Sequence, residues 1–135
     1  MITRERANSI LKTLFPNSTS ESTYIGLSTT EPNENGGNVT EPASDTGYKR
    51  MKLTVMGTPT DGQIQNDDII FFPESLGSGW GTITHFCLYS SQTGGVPYYV
   101  GELNSPVQVP AGYIPIFRAK ALIVGLDKET LDIPT

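Results

Sequence analysis

The sequence predicts a mainly β protein, an antiparallel β-sandwich or jelly-roll-like domain with one N-terminal amphipathic helix. Three observations predict it. Two β-branched and aromatic arms, Trp80–Tyr89 and Val96–Leu103, flank the glycine turn Thr93-Gly94-Gly95 and read as a hairpin. Further strand-like runs recur at short spacing between Gly, Pro and Asn clusters, which suits a sandwich. Helical spacing of apolar residues occurs once, at Ala7, Ile10, Leu11 and Leu14.

That helix is expected from about Thr3 to Leu14. Thr3 is a candidate N-cap, Glu5 places an acid where the helix dipole favours one, and Pro16 ends the run. Its apolar stripe either covers the chain's own sheet or docks on a neighbouring subunit, which makes Ile10, Leu11 and Leu14 candidate partner-binding residues. Tyr24–Thr29 reads as the first strand. The stretch Thr30–Gly47, with two Glu-Pro steps and three glycines, reads as a long exposed loop. Loops of this length are commonly functional, so Glu31 and Asn35 are candidate contact residues.

Tyr48–Met56 alternates, placing Met51, Leu53 and Val55 inward and Arg50, Lys52 and Thr54 outward. A turn at Gly57–Gly62 precedes a short rung, Gln63–Gln65. The unbroken apolar run Ile69–Phe72 suggests a strand buried on both faces. Ser105–Gly112 is expected as an edge or turn segment because Pro106 and Pro110 flank it. Tyr113–Leu126 reads as a final long strand bent near Phe117, and residues 127–135 as a tail. The domain reading is a single domain over 1–135, with the helix in 1–16 and the sandwich in 22–126.

Composition excludes several function classes. With 14 acidic against 9 basic residues the net charge is −5, and no basic stripe is present, so no nucleic acid partner is expected. No apolar run approaches the ~20 residues that a membrane-spanning helix needs. The single Cys allows no intrachain disulfide.

Chemistry-bearing residues are sparse. His85 and Cys87 sit two apart in a strand and share a face, an arrangement open to nucleophilic catalysis but more simply read as packing. One His and one Cys do not make a zinc site. Glu31, Glu34, Asn35, Asn38, Glu41 and Asp45 supply oxygen ligands for calcium without matching an EF-hand, and read as a solvated loop. No enzyme activity, cofactor or metal is therefore expected. Tyr98 and Tyr99 are candidates for a protein- or sugar-binding face.

The block order Tyr24-Ile-Gly-Leu-Ser-Thr-Thr-Glu-Pro32, Val39-Thr-Glu-Pro42, Gly47-Tyr-Lys-Arg50, Phe72-Pro73, Trp80-Gly-Thr-Ile-Thr-His85, Gly94-Gly95, Gly101-Glu-Leu103 and Gly112 resembles small virion structural proteins of tailed bacteriophages and prophages. These are head-decoration, head-fibre or tail-associated proteins. The resemblance implies a non-enzymatic β-domain, made in a bacterial host cytoplasm, located in the virion, forming homo-oligomers and binding other virion proteins. The alternative is a carbohydrate- or receptor-binding β-module of a tail or fibre, with a host-surface glycan as partner.

Overall fold

The computed structural model describes residues 3–14, 23–53 and 56–125. Its elements are α1 (Arg4–Leu14), β1 (Tyr24–Ser28), a 3-10 turn (Ser44–Thr46), β2 (Met51–Lys52), β3 (Gln63–Gln65), β4 (Ile70–Phe71), β5 (Gly81–Tyr89), β6 (Tyr99–Val109), β7 (Ile116–Phe117) and β8 (Ile123–Gly125). The β1–β2, β1–β5, β3–β8 and β5–β6 ladders are antiparallel. The mainly β class with one N-terminal α-helix is therefore as the sequence predicts. Thr54, Val55, the Leu14 side chain and the tail 127–135 lie outside the described residues.

The chain forms two compact units, one of Met1–Glu21, Leu53–Ile70 and Phe117–Thr135, the other of Ser22–Lys52 and Phe71–Ile116. In the first, Thr3 caps α1 by accepting the Arg6 N–H on its hydroxyl (3.2 Å). The helix buries Ala7 and Leu11, and this unit's core also holds Met56, Ile64, Leu122 and Val124. Asn8 accepts the Gly62 N–H at 2.7 Å. Asn66 is fully buried and fully used: its Nδ2 donates to the carbonyls of Asp68 and Arg118, and its Oδ1 accepts from Leu122 N, each at 2.8 Å. One side chain thus ties the strand β3 neighbourhood to the segment entering β8.

The second unit is built on a four-stranded sheet of order β2-β1-β5-β6. β5 is central, flanked by β1 and β6 along most of its length, which explains why its second half, Phe86 to Tyr89, is buried on both faces. The register shifts between Ile83 and His85, a bulge-like irregularity. β6 is an edge strand, and it carries Pro106. Trp80 anchors the core: its indole N–H donates to Thr46 O (2.9 Å), and Tyr48 and Phe72 pack edge-on against its ring at 5.3 and 6.3 Å.

Four expectations need correction. Arg50 points inward rather than outward, 5% exposed, because a carboxylate waits for it. Ile69–Phe72 is not buried on both faces: Ile69 and Phe71 are exposed and Phe72 is buried, an ordinary alternation hidden by an apolar outer face. Ser105–Val109 is the second half of β6, not a separate segment. Tyr113–Leu126 is not one strand, since Lys120 takes a left-handed φ of 67° in a turn closed by Ala121 N to Arg118 O (3.0 Å), which separates β7 from β8.

Candidate functional site

The loop after β1 is folded on its own hydrogen bonds. Thr30 donates its hydroxyl to Asn38 O (2.6 Å), Asn38 donates its amide to Glu31 O (2.8 Å), and Asn33 Oδ1 accepts the N–H groups of Asn35 (3.0 Å) and Gly37 (2.8 Å). Asn and Gly suit such self-bonded turns because their backbones tolerate left-handed φ; Asn38 sits at 60° and Gly36 at 79°. The excursion ends at the 3-10 turn, closed by Gly47 at φ 82°. A side chain at Gly47 would stand 2.7 Å from Glu74 O, so both conformation and space demand glycine.

What holds this loop to the sheet is a buried charge centre. Glu41 takes two hydrogen bonds from Arg50, Nε to Oε2 at 3.0 Å and a terminal nitrogen to Oε1 at 2.8 Å. The remaining guanidinium nitrogen donates to the carbonyls of Ser91 (3.0 Å) and Gly94 (2.8 Å) in the β5–β6 turn. The cation also lies 3.3 Å from the centroid of the Tyr89 ring. Tyr48 donates its hydroxyl to Glu41 and accepts the Leu27 N–H at 3.0 Å. Burial alone would lower the Arg50 pKa, but the hydrogen bonds and charge of Glu41 outweigh it and leave the guanidinium raised. Burial, then the bond to Glu41, pushes the Tyr48 phenol well above its ordinary value.

Glycine at 26 makes room for this centre. A Cβ there would lie 2.8 Å from Tyr48 Oη and 3.0 Å from both Glu41 Oε2 and Tyr89 Cε1. Sequence reasoning read Arg50 as solvent-facing and Glu41 as a loop acid. The available signal was Gly26 inside an otherwise apolar strand, which marks a close approach.

A second feature is a polar groove of about 520 Å³ over β5 and β6, lined by Thr29, Glu31, Thr84, His85, Glu102, Leu103, Asn104 and Pro106. His85 stands opposite Glu102 across the ladder, and its Nδ1 is 2.8 Å from Thr84 Oγ1. Cys87 does not open into this groove; it is fully buried, and burial pushes its thiol up to about 11. A protonated, enclosed thiol is a poor nucleophile. Among the described residues, no group of three or more His, Cys, Asp or Glu is placed to hold a metal ion.

The predicted contact residues fall in different places. Glu31 is exposed and lines the groove, and Asn35 is exposed near the loop tip. Leu11 is fully buried in the chain's own packing, and Ile10 is half-buried. Tyr98 is partly exposed with its hydroxyl 2.8 Å from that of Thr23, while Tyr99 stacks on Phe86 at 6.1 Å.

A protein-family model described as "Podophage GP4 fiber I protein gp80" matches residues 2–125, nearly the whole chain. The chain belongs to this family. It is thus a bacteriophage fibre structural protein, a component of the virion, as the resemblance of its sequence blocks implied. A search of curated proteins finds no match.

Proposed function

We propose that this protein works in the phage fibre as a structural module, by self-association and by binding other virion proteins, without catalysing a reaction. Membership of the fibre family carries the reading. It is supported by where the reactive residues sit: Cys87 is enclosed and protonated, and the Arg50–Glu41 pair fixes a loop rather than facing an opening. The exposed residues Glu31 and Asn35 are then contact positions for neighbouring virion proteins. Cryo-electron microscopy of virions tests this, together with virions lacking the gene. Fibre density present in the first and lost in the second is expected; unchanged density in the deletion virions overturns the proposal.

One observation favours host-glycan binding as a second reading. The groove between Thr29 and Pro106 offers carboxylates, hydroxyls and an amide suited to sugar hydroxyls. On a glycan array, specific binding that disappears in Glu102→Ala would establish it, and an array without signal would remove it.

A further inference from the structure

The segment Phe71–Leu76 runs alongside Gly112–Ile116 and is tied to it by Phe72 N to Pro115 O (3.0 Å), Ser75 N to Tyr113 O (2.8 Å) and Gly112 N to Ser75 O (2.6 Å). Phe72 turns inward against Trp80, so its neighbour Phe71 turns outward. Ile114 and Ile116, two apart, lie on a common side. Phe71, Leu76, Tyr113, Ile114 and Ile116 are each between 44% and 60% exposed. The result is an apolar ridge on a protein whose other surface is rich in Ser, Thr, Asn and acids.

Its size and charge indicate what covers it. Aromatic side chains carry ~150–250 Å² each, and with about half of each of the five side chains in water the ridge exposes on the order of 400–500 Å². That is within the range of the largest patches on monomers, which are often functional. Two such ridges face to face would remove on the order of 1,000 Å², the lower limit for a specific interface. No charged residue occurs from Leu103 to Phe117 or from Ile69 to Pro73. A chain of net charge −5 repels its own copies over most of its surface, and this neutral ridge lets two copies touch without setting acids against each other. A strongly charged partner would find nothing complementary here.

We propose that this ridge is the surface on which one copy of the chain packs against a second copy, ridge on ridge. The proposal rests on the fibre reading above and names the contact that self-association uses.

Sedimentation velocity of the full chain over a concentration series tests it. The unsubstituted chain is expected to associate. Ile114→Glu and Ile114→Lys, each folded by circular dichroism, are expected to associate at least about tenfold more weakly, and an equal mixture of the two to associate again as opposite charges meet. Undiminished association of Ile114→Glu overturns the proposal, as does a mixture that stays single-chain. An unsubstituted protein that is single-chain throughout also overturns it, and if a chain ending at Gly125 then associates, the residues beyond Gly125 are what cover the ridge. Virion incorporation separates the two readings: a single-chain protein still found in fibres refutes this contact alone, whereas absence from virions refutes the fibre role.

Discussion

Replacing Glu41 with alanine should cost about 3 kcal/mol of folding stability, at the low end of the ~3–5 kcal/mol expected when one partner of a buried ion pair is removed. The Arg50 side chain is only 6% exposed, so without Glu41 its charge has little water to turn to. Two carbonyl acceptors and the Tyr89 ring remain, which keeps the loss from the upper end. Glu41 itself is 24% exposed, so the converse variant, Arg50→Ala, leaves a carboxylate that can partly rehydrate. Tyr48 loses its acceptor in Glu41→Ala, a further neutral hydrogen bond of ~1 kcal/mol at most. The pair should also be non-additive: Glu41→Leu with Arg50→Met removes both charges and should cost less than the sum of the single changes. Urea unfolding at neutral pH, followed by tryptophan fluorescence of Trp80, measures all of these. A change of ~0.5 kcal/mol or less in Glu41→Ala is the size typical of surface substitutions, and would mean that the pair acts as an ordinary solvent-exposed bridge.

Gly101→Ala should destabilise by ~1–3 kcal/mol, since its Cβ would fall 2.4 Å from Phe86 Cε1 and Cζ and the ring, buried and stacked on Tyr99, has little room to shift; thermal melts decide this. Asn66→Ala should lower stability by roughly 2–3 kcal/mol and speed amide exchange at Leu122, because it leaves that buried N–H and the Asp68 and Arg118 carbonyls without a partner. Alkaline pH should weaken the fold through Cys87. Its thiol is held at about 11 against an ordinary 9.0, so the native state keeps a proton that the unfolded chain releases, and stability present below pH 9 is lost as pH rises towards 11. The loss is on the order of 2–3 kcal/mol, and Cys87→Ala should flatten the pH 9–11 part of the stability curve.

The parts of the fold set by local chemistry were legible in the sequence. Helix α1 follows from Thr3 and the apolar spacing, and the β5–β6 hairpin from its glycine turn and β-branched arms. Failures occurred where a long-range partner overrides the local pattern. Tyr48 to Met56 alternates convincingly, yet the Arg50 side is drawn inward by a carboxylate nine residues away, which no periodicity reports. The run Ile69–Phe72 misled for the opposite reason. Its outer face is apolar, and periodicity cannot separate a doubly buried strand from one whose exposed side is also hydrophobic. The candidate contact residues divide along the same line: Glu31 and Asn35 belong to a polar loop and are exposed, whereas Leu11 lies in a stripe that the chain itself covers.

The proline in β6 has a consequence for growth. An eleven-residue edge strand would otherwise offer its free N–H and C=O groups to any passing chain, and stacking by that route has no natural end. Prolines in edge strands present their missing N–H to the open side, so Pro106 removes a donor where an incoming strand would need one. Molecules that meet through side chains instead stop when those side chains are covered, which gives particles of fixed number rather than filaments of arbitrary length.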